Sequence, residues 1–230
     1  MTFFFGMVAF FLISLTVIHR IEKRMVWPYG ELQMQPHFPD STGYTAAWVA
    51  NAVASGFTLL GWMRDMKGEK YRISYAILVS PDRSTLAVIG AGHIISLPIQ
   101  GTWLHTPSSD GRSFYSTDKQ AGVQLDVSQH WTNQLVFASS FAELWQRHQA
   151  WTQGLRVLPR GLSAGRELEE FRAVREEHYR TMERAGLIQY TDASATSFRF
   201  TLYGAARTAG WSYLLGLVRA ITRGAFPKTA

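Results

Sequence analysis

The first eighteen positions show no hydrophobic periodicity because they hold almost nothing polar. MTFFFGMVAFFLISLTVI runs without a charge from Thr2 to Ile18 and then meets His19-Arg20-Ile21-Glu22-Lys23-Arg24. A helix of about 17 to 20 apolar residues, rising 1.5 Å each, reaches across a bilayer core of roughly 30 Å, so the pattern predicts a transmembrane anchor over 1–24. No basic stretch precedes the run and no small-residue cleavage site closes it, which argues for a retained span. Arg20, Lys23 and Arg24 favour the cytoplasmic side, which puts the N-terminus outside and the body in the cytoplasm, a single-pass arrangement. Phe3, Phe4, Phe5, Phe10, Phe11 and Leu12 are then the expected lipid contacts, with Arg20, Lys23, Arg24 and Trp27 at headgroup level.

Residues 25–43, with Pro28, Pro36 and Pro39, read as a linker, and 44–205 as the body. A short helix is expected from about 44 to 55, capped by Ser41 or Thr42 and ended by Gly56. In YRISYAILV, Tyr71, Ile73, Tyr75, Ile77 and Val79 alternate with Arg72, Ser74 and Ala76, a period of two that predicts a strand with one buried face. TLAVIGA follows a Ser80–Ser84 turn, and Asp110-Gly111 predicts a tight two-residue hairpin within TWLHTPSSDGRSFYST. With FTLLGWMRDM, GVQLDV and NQLVFAS, about five to seven antiparallel strands are expected.

The period then changes to 3.6. Ser140-Phe141-Ala142-Glu143 is a capping box in which Glu143 should return to the Ser140 amide. The helix it opens places Phe141, Leu144, Trp145, His148 and Trp151 on one stripe. A second helix, about 164 to 185, carries Leu168, Phe171, Val174, Tyr179 and Met182 on a narrow stripe, and two short strands follow around TDASA. In 206–230, Trp211, Leu214, Leu215, Leu217, Val218 and Ile221 gather on one arc, with Arg219 and Arg223 opposite. This basic amphipathic helix suits either a membrane interface, through Trp211, Leu215, Arg219 and Arg223, or packing on its own domain. The fold class expected is α+β: a transmembrane helix, a mainly antiparallel sheet, two or three packing helices and a C-terminal amphipathic helix.

Composition narrows the chemistry. Hydrophobic residues make up 47 % and charged residues 17 % of the 230, a charged share below that of typical soluble chains. There is no cysteine, so thiolate catalysis and Cys-ligated metals are excluded. The seven histidines include no pair at i, i+3 or i+4 and no HExxH, and IGAG is not continued as GxGxxG, so no metal and no cofactor is expected. One constellation invites a catalytic interpretation. A two-residue turn at Asp110-Gly111 sets His105 opposite Ser116 and Trp103 opposite Asp118, a Ser/His/Asp set on one sheet face. A flat ribbon offers no oxyanion donors, so a hydrolase using His105, Ser116 and Asp118 is the alternative rather than the expectation.

Two resemblances bear on function. MERAGLIQYTDASATSFRFTLYGAARTA resembles the end of a winged-helix domain, although Arg199-Phe200-Thr201-Leu202 departs from that family's order, and the glutamates of the preceding helix would repel phosphate. The wider layout, DGRSFYSTD, FAELWQRHQ and FRFTLYGAARTAGW after a span, resembles bacterial single-pass membrane proteins of no assigned activity. These features together predict a membrane-tethered, non-catalytic accessory subunit. Its expected partners are the lipid bilayer and another membrane protein or complex, with no small-molecule substrate; the other alternative is a winged-helix-like nucleic-acid binder.

Overall fold

A computed structural model describes residues 12, 13, 16, 23–25, 27–66, 68–118 and 131–207. The chain divides into two compact units, residues 27–178 and residues 1–26 with 179–230.

The larger unit is built on a six-stranded sheet in the order β2-β3-β4-β5-β6-β7. Its strands are β2 (Thr58–Arg64), β3 (Tyr71–Val79), β4 (Leu86–Ile94), β5 (Leu97–Pro107), β6 (Ser113–Asp118) and β7 (Trp131–Val136). All neighbours are antiparallel except β6 and β7, which run parallel. GVQLDV, expected as a strand, lies outside the described residues. Helices α1 (Tyr44–Ala54) and α2 (Phe141–Gly154) cover one face; the first half of α3 (Glu167–Arg184) covers the other.

Both faces are therefore buried, not one. Beneath α1 and α2 lie Ala76, Leu78, Ala87, Ile89, Ala91 and Leu104, packed with Ala52, Phe57, Phe141 and Leu144. Under α3 lie Ile73, Tyr75, Ile77, Val79, Leu86 and Val88, with Leu162 and Phe171. The alternation in β3 separates two cores instead of core from solvent, and the small residues Ala76, Ala87 and Ala91 let α1 approach closely at Ala52.

The outer edge of β2 is covered by residues 28–33, the expected linker. Gly30 N–H donates to Arg64 O (3.0 Å), Gln33 N–H to Trp62 O (2.8 Å) and Met66 N–H to Pro28 O (2.7 Å). A bulge between Leu59 and Gly61 lets this happen. Gly61 has φ +150°, and a Cβ there would lie 2.7 Å from Gln33 O, so only glycine admits the strap. The strap thus pairs the C-terminal half of the β2 edge, from Trp62 on.

Helix α2 begins as its sequence implies, Ser140 Oγ accepting from Glu143 N–H (3.3 Å). The Glu143 carboxylate reaches one residue further back, accepting from Ser139 N–H (2.8 Å) and Ser139 Oγ (2.9 Å). Asn51 Oδ1 accepts from Ala142 N–H (3.0 Å) and ties α1 to the first turn of α2.

In the smaller unit, β1 (Lys23–Met25), β9 (Ser197–Phe200) and β8 (Ile188–Tyr190) form an antiparallel sheet in the order β1-β9-β8. Tyr179 packs on Phe198 at 4.9 Å and Phe198 on Phe200 at 5.6 Å. The hairpin between β8 and β9 is organised by Asp192, whose carboxylate accepts from the N–H groups of Thr196 (2.9 Å) and Ser197 (2.8 Å). Those bonds, that of Thr196 N–H foremost, hold its carboxyl down at about 2.

The anchor and the single-pass placement are overturned. Among the described residues no helix is long and apolar enough to cross a membrane. Lys23 and Arg24, expected as the collar ending a span, belong to β1 and pair in register with Arg199 and Phe198. A backbone extended and bonded to β9 cannot also be the last turn of a membrane helix. Leu12 is helical, with its carbonyl accepting from Thr16 Oγ1 (2.8 Å). Phe3, Phe4, Phe5, Phe10, Phe11 and Arg20 lie outside the described residues, as does the predicted C-terminal amphipathic stretch from 208 on, with Trp211, Leu215, Arg219 and Arg223.

Candidate functional site

The predicted Ser/His/Asp set is not assembled. The hairpin between β5 and β6 pairs Leu104 with Ser116, His105 with Tyr115 and Trp103 with Thr117. Ser108 N–H donates to Arg112 O (2.7 Å), leaving Ser109, Asp110 and Gly111 as a three-residue loop with Gly111 at φ +83°. Three loop residues instead of two shift the register by one, and a one-residue slip turns every side chain to the other face. Ser116 and Asp118 thus lie under α1 and α2, while His105 faces α3.

Ser116 finds a different histidine. His148 of α2 descends onto the sheet, with Nδ1 2.6 Å from Ser116 Oγ and Nε2 2.7 Å from Thr106 Oγ1. Gln134 Nε2 donates to Ser116 Oγ (2.6 Å), and Thr106 Oγ1 lies 2.6 Å from Thr85 Oγ1. An amide nitrogen only donates, so Ser116 Oγ accepts from Gln134, and its contact with His148 Nδ1 extends the network to the imidazole. The chain of bonds is continuous from Gln134 to Thr85. Asp118 is held separately: Tyr44 Oη donates to Asp118 Oδ2 (2.5 Å) and lies 2.9 Å from Thr102 Oγ1. Burial first, and then the Asp118 charge, push the Tyr44 hydroxyl far above its ordinary value.

This arrangement is a poor base catalyst. In a Ser-His-Asp site a carboxylate holds the imidazolium that forms, and at His148 a hydroxyl stands on each ring nitrogen instead. Burial drives its pKa down to about 3. Ser116 is 0 % and His148 1 % exposed, so no substrate atom reaches the pair.

On the α3 face His105 stacks on Tyr115 (ring centroids 4.3 Å apart) and meets Phe171 at 5.1 Å. Burial, then the charge of Arg175, hold His105 well below the usual histidine value. Tyr75 Oη donates to the buried Asp65 (3.0 Å), and the Arg175 guanidinium lies 5.7 Å from the Tyr29 ring.

The larger unit also has an open groove of about 790 Å³. Trp27, Tyr29, Met63 and Leu168 give it an apolar floor; Glu31, Arg64, Glu169 and Arg172 stand at its rim. Trp27, expected at headgroup level, instead forms a wall here, edge-on to Tyr29 at 5.1 Å with the Arg172 guanidinium 5.9 Å above it. Arg64 bonds only the Met66 sulfur (3.3 Å) among the described residues. Glu169 is occupied by Arg166 and Arg172 by Glu176.

Sequence reasoning placed His148 on the core stripe without seeing its partners, and it missed Tyr44, Asp65, Thr85, Thr106 and Gln134 as parts of buried networks. The available signal was hydroxyls at alternate positions of one strand, Thr102 and Thr106 flanking Leu104, on a face that a helix covers. Among the described residues no three His, Asp or Glu side chains converge as metal ligands would. No family model, curated protein or solved structure matches the chain.

Proposed function

We propose that the chain is a non-catalytic interaction module, an accessory subunit whose groove accepts an extended segment of a partner protein. The observation that carries this is a contrast of access: the Ser116–His148–Thr106 network is sealed and mutually bonded, whereas the open groove of the same unit has an apolar floor. Its chemistry suits a peptide bearing a large apolar side chain for the Trp27–Met63–Leu168 floor beside a carboxylate for Arg64, whose guanidinium, among the described residues, bonds only a thioether.

Two measurements test it. A photoreactive residue at Leu32, in full-length chain expressed in its own host, should give one discrete adduct, lost on Arg64→Glu or Leu168→Glu. An adduct indifferent to both substitutions removes the groove from the account. Purified chain should turn over generic esters and phosphoesters no faster than Ser116→Ala; turnover abolished by Ser116→Ala or His148→Ala removes the non-catalytic reading.

A further inference from the structure

The formal charge is divided unequally between the two units. Residues 27–178 hold thirteen Lys or Arg against fourteen Asp or Glu, a net −1, whereas 1–26 with 179–230 hold ten against three, a net +7. The whole positive balance of the protein therefore belongs to the smaller unit. After Asp192 there is no acidic residue at all.

Within that unit three of the basic residues, Lys23, Arg24 and Arg199, lie on the sheet. Lys23, Arg199 and Gln189 are register partners across the three strands, so two cationic residues stand directly opposite each other with no acid in the row. Like charges in directly opposed positions destabilise an antiparallel pair. Arg199 and Arg207 are exposed; Arg180 and Arg184 of α3 are exposed too, but beside the exposed Glu183, so the sheet and Arg207 rather than the helix carry the cationic surface. The nearest acid along the hairpin, Asp192, is engaged by the N–H groups of its own loop.

We infer that this unit presents a binding surface for the phosphate backbone of duplex nucleic acid, read without regard to sequence. Charge complementarity argues for a polyanion, and the shape of the ribbon argues for which one. The β8–β9 hairpin is a two-stranded ribbon of the width a major groove admits, and its tip, residues 191–196, is made of Thr, Asp, Ala and Ser. A tip built to enter hydrocarbon would carry a large apolar side chain, and this one has none. The inference is independent of the groove in the larger unit.

The test uses the full chain and a labelled 30-base-pair duplex of arbitrary sequence, with binding followed by fluorescence anisotropy. Binding at 50 mM salt should weaken about a hundredfold by 200 mM if about four phosphates are contacted. Arg199→Glu should weaken it roughly tenfold and flatten the salt slope by about one phosphate, and Arg207→Glu should act in the same direction. Lys70→Glu, an equal charge change on the larger unit, should leave it unchanged. Arg199→Glu also removes the like-charge row, so its melting temperature should hold or rise while binding falls, a split that misfolding does not produce. Absence of binding at 50 mM salt overturns the inference, as does a Lys70→Glu effect equal to that of Arg199→Glu. Binding to phosphatidylserine vesicles with none to the duplex overturns it as well, in favour of a lipid surface reached through the exposed Leu202 and Tyr203.

Discussion

The two faces of the six-stranded sheet bury polar residues in different ways. Under α1 and α2, hydroxyls, an imidazole and an amide are joined by hydrogen bonds from Gln134 through Ser116, His148 and Thr106 to Thr85. Under α3, beside the bond from Tyr75 Oη to Asp65, rings enclose the basic groups: His105 between Tyr115 and Phe171, and Arg175 over Tyr29. The first face relies on hydrogen-bond geometry, which tolerates little displacement. The second relies on contact area and on rings that stack at several angles. The α1/α2 face should accordingly be the more sensitive to losing one atom, and the α3 face to losing one ring.

The largest effect tests the α3 side. Phe171→Ala removes a ring 2 % exposed that touches His105 and Trp27, and should cost about 3–5 kcal/mol in urea unfolding. A loss under about 1 kcal/mol would mean that the helix is not seated there. On the other face, Tyr44→Phe deletes one oxygen yet leaves the buried Asp118 carboxylate without that donor, for about 1–3 kcal/mol. Equal tolerance of both changes would erase the distinction between the faces.

Acid acts on both. His105 and His148 have folded pKa values below the unfolded value of about 6.5, so the unfolded chain binds protons first and stability falls as pH drops through 6.5. For His148 the loss continues to its folded value of about 3. Each should contribute up to about 1.4 kcal/mol per pH unit. Carboxylates with lowered values, such as Asp40 and Asp82, respond only below about pH 4, so pH 6.5 to 4.5 isolates the histidines. Chemical denaturation across that window should show a slope reduced by one histidine's share in His148→Gln and in His105→Gln. An unchanged slope in either would place that ring in contact with water.

Much of this architecture was legible as periodicity and little of it as register. The alternation from Tyr71 to Val79 marks β3, and Ser140-x-x-Glu143 marks the start of α2. Periodicity cannot say whether a strand's second face meets water or a helix, so Ser74 and Ala76 read as a polar face although both are buried. Register depends on the loop count at Asp110-Gly111, and one residue there decides whether Ser116 meets His105 or His148. The parallel pairing of β6 with β7 was invisible, because hairpin signals describe only antiparallel neighbours. The apolar leader was assigned from hydropathy and its flanking charges, which do not register that Lys23–Met25 pair with a strand some 175 positions away.

The smallest effects separate local geometry from surface charge at the start of α2, the helix that carries His148. Ser140→Ala removes the acceptor for Glu143 N–H at a first turn whose next residue, Phe141, is fully buried; it should cost about 1 kcal/mol. Arg147→Ala breaks the Arg147–Glu143 pair (2.7 Å), which is exposed to solvent and screened, and should cost under about 0.5 kcal/mol. If the helix end is what aims the imidazole, Ser140→Ala should shift the His148 ring resonances in NMR spectra and Arg147→Ala should not. Equal shifts from both would mean that the surface pair, rather than the cap, sets the seat of α2 on the sheet.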